Sequence, residues 1–184
     1  MPKKETIQPA WYEDVTPEGS YRALFKWGDP AGIKHPNSGL VKLLVDQLGL
    51  APEELTQPGH FCLDEVAESA PNQLEPADMA LLEQTCGREN IATDTYTRVA
   101  RSYGHGMIDA IRLRKKIVEN LPDVVVAPRT EAKIEVIVRY ANEHRLPIYV
   151  YGGGSSVTRG MEATRGGITL DLSRHMNRLV ELNE

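Results

Sequence analysis

Three consecutive glycines followed by two serines, Gly152-Gly153-Gly154-Ser155-Ser156, stand directly after the β-prone run Ile148-Tyr149-Val150-Tyr151. Glycine lets backbone approach a ligand closely, and successive amide N–H groups can form a concavity suited to phosphate oxygens. Ser155 and Ser156 would add hydroxyl donors to the same oxygens. Two familiar phosphate loops do not fit. A Walker A loop requires Gly-Lys-Ser/Thr, but Ser155 follows Gly154. A G-x-G-x-x-G fingerprint would put its third glycine at Val157 and open a helix, whereas residues 158–167 have no apolar helical period. The pattern predicts a strand, an anion cradle, a long loop and then a strand at residues 168–172. A plain glycine-rich turn between strands would account for the glycines equally well.

Other chemistry is sparse. Cys62 and Cys86 have neither a disulfide framework nor a metal-binding spacing. His35, His60, His105, His144 and His175 are scattered, and His60-Phe61-Cys62 supplies only two ligands, so no metal site is expected. Residues 1–94 hold 16 acidic and 7 basic residues, and residues 95–184 hold 10 acidic and 14 basic. The half with the glycines is therefore the positive one, which would suit a diphosphate or simply complement the acidic half. Aromatic residues do not interleave with basic ones as a nucleic-acid platform requires. With no apolar run of about 18 residues and no apolar signal core after Met1, a cytoplasmic location is the expectation.

The elements that would position the cradle can be read from period and punctuation. Residues 1–36 are interrupted by Pro2, Pro9, Pro17, Pro30 and Pro36 and should be mostly irregular, with aromatic anchors at Trp11-Tyr12 and around Phe25 and Trp27. Asn37 or Ser38 caps a helix to about Leu48, with Leu40, Leu43, Leu44 and Leu48 on a core-packing face and Gly49 ending it. A second helix begins at Pro76 and ends before Gly87. A third runs from Met107 to Glu119, with Ile108, Ile111, Leu113, Ile117 and Val118 apolar and Arg112, Arg114, Lys115 and Lys116 near its C-terminus. Residues 124–127 read as a strand buried on both faces. Thr130 caps a helix that packs through Ile134, Val136, Ile137, Val138 and Ala141, and Pro147 stops it. The strand at residues 148–151 completes a β-α-β unit, parallel with a right-handed crossover, and its loop lies at the strand's carboxyl end, where open α/β sheets tend to bind ligands. Residues 179–182 read as one more strand. Ending there would leave an exposed sheet edge and invite homo-oligomerisation.

The succession Leu121-Pro122-Asp123-Val124-Val125-Val126-Ala127-Pro128, a helix, Ile148 through Val157, and Ile168-Thr169-Leu170-Asp171-Leu172-Ser173 resembles the flavin-binding (PCMH-type) domain of the vanillyl-alcohol oxidase family of FAD-linked oxidases. Lys26-Trp27-Gly28 and the spacing Arg98-x-x-Arg101-x-x-Gly104 look like elements of its alkyl-dihydroxyacetonephosphate synthase branch. The resemblance implies an α+β, α/β-like fold, with an N-terminal arm and helical region over residues 1–120. The first part of an FAD-binding domain would follow over residues 121–184.

It implies FAD as cofactor, its pyrophosphate held by Val150, Tyr151, Gly152, Gly153, Gly154, Ser155 and Ser156, with Val157 adjacent and Pro128 against the cofactor. Arg98 and Arg101 are candidates to face a phosphate. Val150 stands where the family usually has proline and Ser155 where threonine is commoner; neither change removes an amide. Members are generally more than twice this long, so the chain is expected to be an amino-terminal piece, incomplete as a catalyst. The parent activity in that branch exchanges an acyl chain for a fatty alcohol on a lipid-like substrate. The alternatives are a 2-hydroxy-acid FAD oxidase or dehydrogenase of glycolate or D-lactate type, and a non-catalytic nucleotide-binding module.

Overall fold

Val124, Val125 and Val126 form a strand in which every residue is buried, as a β-branched run enclosed on both faces should. The computed structural model describes Leu24 and residues 37–51, 53–56 and 72–183. Within them the helices are α1 (Ser38–Leu48), α2 (Pro76–Cys86), α3 (Thr95–Ala100), α4 (Met107–Arg114) and α5 (Glu131–His144). The strands are β1 (Ile91–Ala92), β2 (Val124–Val126), β3 (Ile148–Tyr151) and β4 (Ile168–Asp171). They form one mixed sheet in the order β1-β2-β4-β3, with β1 antiparallel to β2 and the other three parallel. The chain is α+β, and the expected β-α-β unit is β2-α5-β3, with β4 inserted between its two strands.

Period two along the strands decides what is covered. Val124 and Val126 from β2 and Ile168 and Leu170 from β4 share a core with Leu82 and Cys86 of α2 and Ile137 of α5. Cys86 is a free thiol whose pKa burial pushes up. A second, smaller core joins Val99 of α3, Tyr103 and Leu113 of α4. Local chemistry starts four of these five helices: the Asn37, Asp94 and Thr130 side chains accept from Leu40, Thr97 and Lys133 amides, and Pro76 takes the first turn of α2.

Several expectations are corrected. The helix at residue 107 stops at Arg114, five residues short of Glu119, because Lys116 adopts a left-handed φ of 59° and the Ile117 amide reaches back to Arg112 O at 2.8 Å. Its apolar side is mostly solvent-facing, with Met107, Ile108, Ile111 and Ile117 exposed. In α5, Ile137 and Ala141 are buried while Val136 and Val138 face outward. Helix α1 has the expected caps, Asn37 and Gly49, yet Leu40, Leu43 and Leu48 are exposed, so core packing does not explain it. Residues 179–182 form no strand: Val180 is 96 % exposed and has no neighbouring ladder to join. Among the described residues the sheet instead exposes β3 as an edge. The arm residues Trp11, Tyr12, Phe25, Lys26, Trp27 and Gly28, together with His60 and Cys62, lie outside the described residues.

Candidate functional site

The three parallel strands all point their carboxyl ends to one side of the sheet, bringing Pro128 after β2, Leu172 after β4 and Gly152 after β3 to the same edge. The glycine-serine loop turns there. Gly154 adopts a φ of 66°, which a side chain would resist. No backbone carbonyl among the described residues accepts from the amides of residues 152–157. A Cβ on Gly152 or Gly153 would meet nothing within 4 Å, so the main chain there is open to a ligand. Gly152, Gly153, Ser155 and Val157 are exposed, Ser156 is half-buried and Gly154 is buried. Val150 projects outward from the edge strand, whereas Pro128 is fully enclosed. Backbone amides with no backbone acceptor among the described residues, beside the Ser155 and Ser156 hydroxyls and open space and with no carboxylate in the loop, are a donor set that fits a phosphate or diphosphate.

The loop is held from two directions by the segment between α3 and α4. On one side, Gly104 comes so close to the Ser156 carbonyl that a Cβ would overlap it, and the His105 amide donates to Ser156 O at 2.9 Å. On the other, the Arg101 guanidinium carbon lies over the buried Tyr151 ring, 4.6 Å from its centroid, and the Tyr151 hydroxyl occupies the space a Cβ on Gly154 would need. Arg101 Nε pairs with Asp171 Oδ2 at 2.7 Å, and the Ser173 amide and hydroxyl donate to Asp171 Oδ1 at 2.9 and 2.5 Å. Burial pushes the Tyr151 phenol up; Arg101 opposes this and Asp171 reinforces it.

Beyond the cradle, Arg159 sits at φ 62° and joins Asp109 (3.3 Å) and Glu162 (2.8 Å), and the Asn120 amide group donates to Glu162. Burial raises the Asp109 carboxyl, Arg159 pulling the other way. This cluster anchors the loop that leaves the cradle.

Arg98 and Arg101, alike in the sequence, separate in the structure. Arg98 is buried and its Nε donates to Pro122 O at 2.7 Å, a bond that ties α3 to the start of β2. Arg101 alone of the two lies beside the cradle. Nothing in the sequence marks Tyr151 as a ring for Arg101 to lie over, or Gly104 as a contact of the loop. The Arg-x-x-Arg-x-x-Gly spacing was the available signal, and it does not say which residue meets which. Among the described residues no group of three or more His, Cys, Asp or Glu side chains could hold a metal ion. Nor is any helix among them long and apolar enough to cross a membrane.

Residues 122–184 match the family model described as an FAD binding domain. The alkyldihydroxyacetonephosphate synthase of Dictyostelium discoideum is 26 % identical over 179 residues, an alignment covering 84 % of this chain and 29 % of that protein. The mitochondrial D-lactate dehydrogenase (cytochrome) of Arabidopsis thaliana is 31 % identical over 124 residues, covering 67 % of this chain and 20 % of that one. A solved alkyldihydroxyacetonephosphate synthase structure shares the fold with a TM-score of 0.58 at 24 % identity, covering 64 % of this chain and 23 % of its own. The chain thus spans less than a third of each of these relatives.

Proposed function

We infer, from the match of residues 122–184 to the FAD binding domain family model, that the main chain of Val150, Tyr151, Gly152, Gly153, Gly154, Ser155 and Ser156 holds the diphosphate of FAD. Val157 would flank it and Pro128 would back the cofactor from the end of β2. The observation that carries this reading is the turn at residues 152–157, where amides without backbone acceptors among the described residues adjoin glycines with open space above them. Bound FAD would supply the isoalloxazine, which accepts and returns electrons. The chain's own residues bind and orient: the amides and the Ser155 and Ser156 hydroxyls donate to phosphate oxygens. The two parts of the chain then divide the work. Residues 121–184 carry the cradle, and residues 1–120 contribute the segment that braces it.

The flavoenzyme served by this site is one resembling alkyldihydroxyacetonephosphate synthase, acting in the cytosol on a lipid-like substrate. Its support is the alignment over most of the chain with the Dictyostelium protein. A second reading, a 2-hydroxy-acid oxidase or dehydrogenase, is favoured by the higher identity, 39 % over 66 residues, to the glycolate oxidase subunit GlcD of Bacillus subtilis. The exposed β3 edge, with Val150 outward, would permit self-association in either case.

Purification and titration test the common part. The 184-residue chain is expected to take up FAD, seen as a flavin absorbance band and a saturable change in flavin fluorescence. A colourless protein unresponsive to added FAD would favour a non-catalytic module. Flavin-loaded protein then separates the enzyme readings. Anaerobic bleaching by glycolate or D-lactate would support the 2-hydroxy-acid reading. Incorporation of a fatty alcohol in place of the acyl chain of acyl-dihydroxyacetone phosphate would support the synthase reading.

A further inference from the structure

Resting on the FAD reading above, we propose that Arg101 is the positioning residue of the cradle, setting its diphosphate affinity by clamping Tyr151 against Gly154 and not by touching the ligand. The physical chain is short. Asp171, at the carboxyl end of β4, is fixed by the Ser173 amide and hydroxyl. It fixes Arg101 through a 2.7 Å ion pair with Nε, which leaves the guanidinium carbon over the Tyr151 ring, 4.6 Å from its centroid. A cation held over an aromatic face and partly removed from water attracts the ring electrostatically. The ring cannot tilt away without losing that contact. Its hydroxyl end abuts Gly154 where the chain takes its left-handed turn, φ 66°. The ring therefore fixes the corner from which the Gly154, Ser155 and Ser156 amides are aimed.

The other end of the loop is pinned by the His105 amide on Ser156 O and by Gly104 beneath it. Both clamps come from residues 101–105, outside the 122–184 segment that matches the family model. A cradle of glycines has little conformational preference of its own. Whatever shape it holds before a ligand arrives must come from such neighbours, and preorganisation of that kind lowers the cost of binding.

A double-mutant cycle reads this directly in the 184-residue chain, with FAD and ADP as titrants and circular dichroism and thermal melts as folding controls. Arg101→Met and Tyr151→Leu are each expected to weaken both ligands about tenfold. The double variant should lose little more than either single one, because both changes remove the same clamp. Arg101→Lys, a milder change that can keep the ion pair with Asp171 but makes a weaker contact with the ring face, is expected to lose about threefold. In the ligand-free chain, Arg101→Met should also shift the amide resonances of Gly152, Gly153 and Gly154 while leaving those of β2 in place. Additive losses in the cycle, or full affinity in Arg101→Lys, would overturn the clamp and make Arg101 a direct charge on the anion. Unchanged cradle resonances would overturn it as well. Wild-type chain that binds neither ligand would instead refute the FAD reading itself, a different result from wild-type binding that Arg101→Met leaves intact.

Discussion

Two glycine-rich turns of this chain lie at opposite ends of the same strands, and they spend their freedom differently. Gly166 and Gly167, entering β4, have φ of 62° and 85°, and both their amides and the Gly167 carbonyl are hydrogen-bonded. The Gly166 amide donates to Ala163 O, the Gly167 amide to Asp123 Oδ2, and Gly167 O accepts from Asp123 and Val124 amides. A Cβ on Gly167 would overlap the Pro147 carbonyl. Gly152 and Gly153, leaving β3, have no such crowding and, among the described residues, no backbone acceptors for their amides. A glycine required by packing has neighbours; one required by a ligand has open space and unspent donors. The first turn is a structural joint, and the second has the attributes of a binding site.

The largest effect should come from breaking the joint. Gly167→Val forces a branched side chain into left-handed backbone and into Pro147, and is expected to cost about 3 kcal/mol or more in chemical denaturation. Next is Asp123→Ala, which strands the Gly167 amide and the Gln73 amide that donates to Oδ1 at 2.9 Å. A loss of about 2 kcal/mol is expected, and a change near zero would show that the joint does not depend on this carboxylate. Gly153→Val inverts the pattern. Its denaturation midpoint should move by no more than about 0.5 kcal/mol in stability, while FAD affinity measured by fluorescence falls about tenfold or more as the side chain fills the approach to the amides. Equal damage to stability from Gly153→Val and Gly167→Val would erase the distinction between the turns.

The smallest effect is one of pH and falls on the brace. Burial lowers the His105 pKa from its ordinary 6.5. The folded state therefore binds this proton less readily than the unfolded chain, and stability from His105, fully present above pH 6.5, declines as pH falls through the lowered folded value. Thermal melts should drop on acidification below about pH 6.5, and the drop should be shallower in His105→Gln. An identical pH profile in that variant would remove His105 as the source.

Much of the sheet was legible because its signals are local. The all-apolar run at residues 124–126, Thr130 before α5 and Pro147 after it mark their elements by type and order. The strand β1 was not legible, since two residues show no alternation and its pairing with β2 is set by distant partners. Residues 179–182 had strand-like composition but no ladder, and composition cannot supply a neighbour. The apolar positions of α4 predicted a longer helix than its left-handed exit at Lys116 allows. At the site, the glycines were legible as a motif. The roles of Arg101 and Gly104 were not, because contacts across 50 or more residues leave no trace in spacing.

The central claim is that the amides of residues 152–157 receive a diphosphate. It is tested most directly by titrating isotopically labelled chain with ADP or FAD and following each backbone amide by NMR. Saturable shifts concentrated at Gly152, Gly153, Gly154, Ser155 and Ser156, with Gly166 and Gly167 still, are the expected result. Shifts confined to other parts of the chain, with residues 152–156 unmoved at saturation, would contradict it.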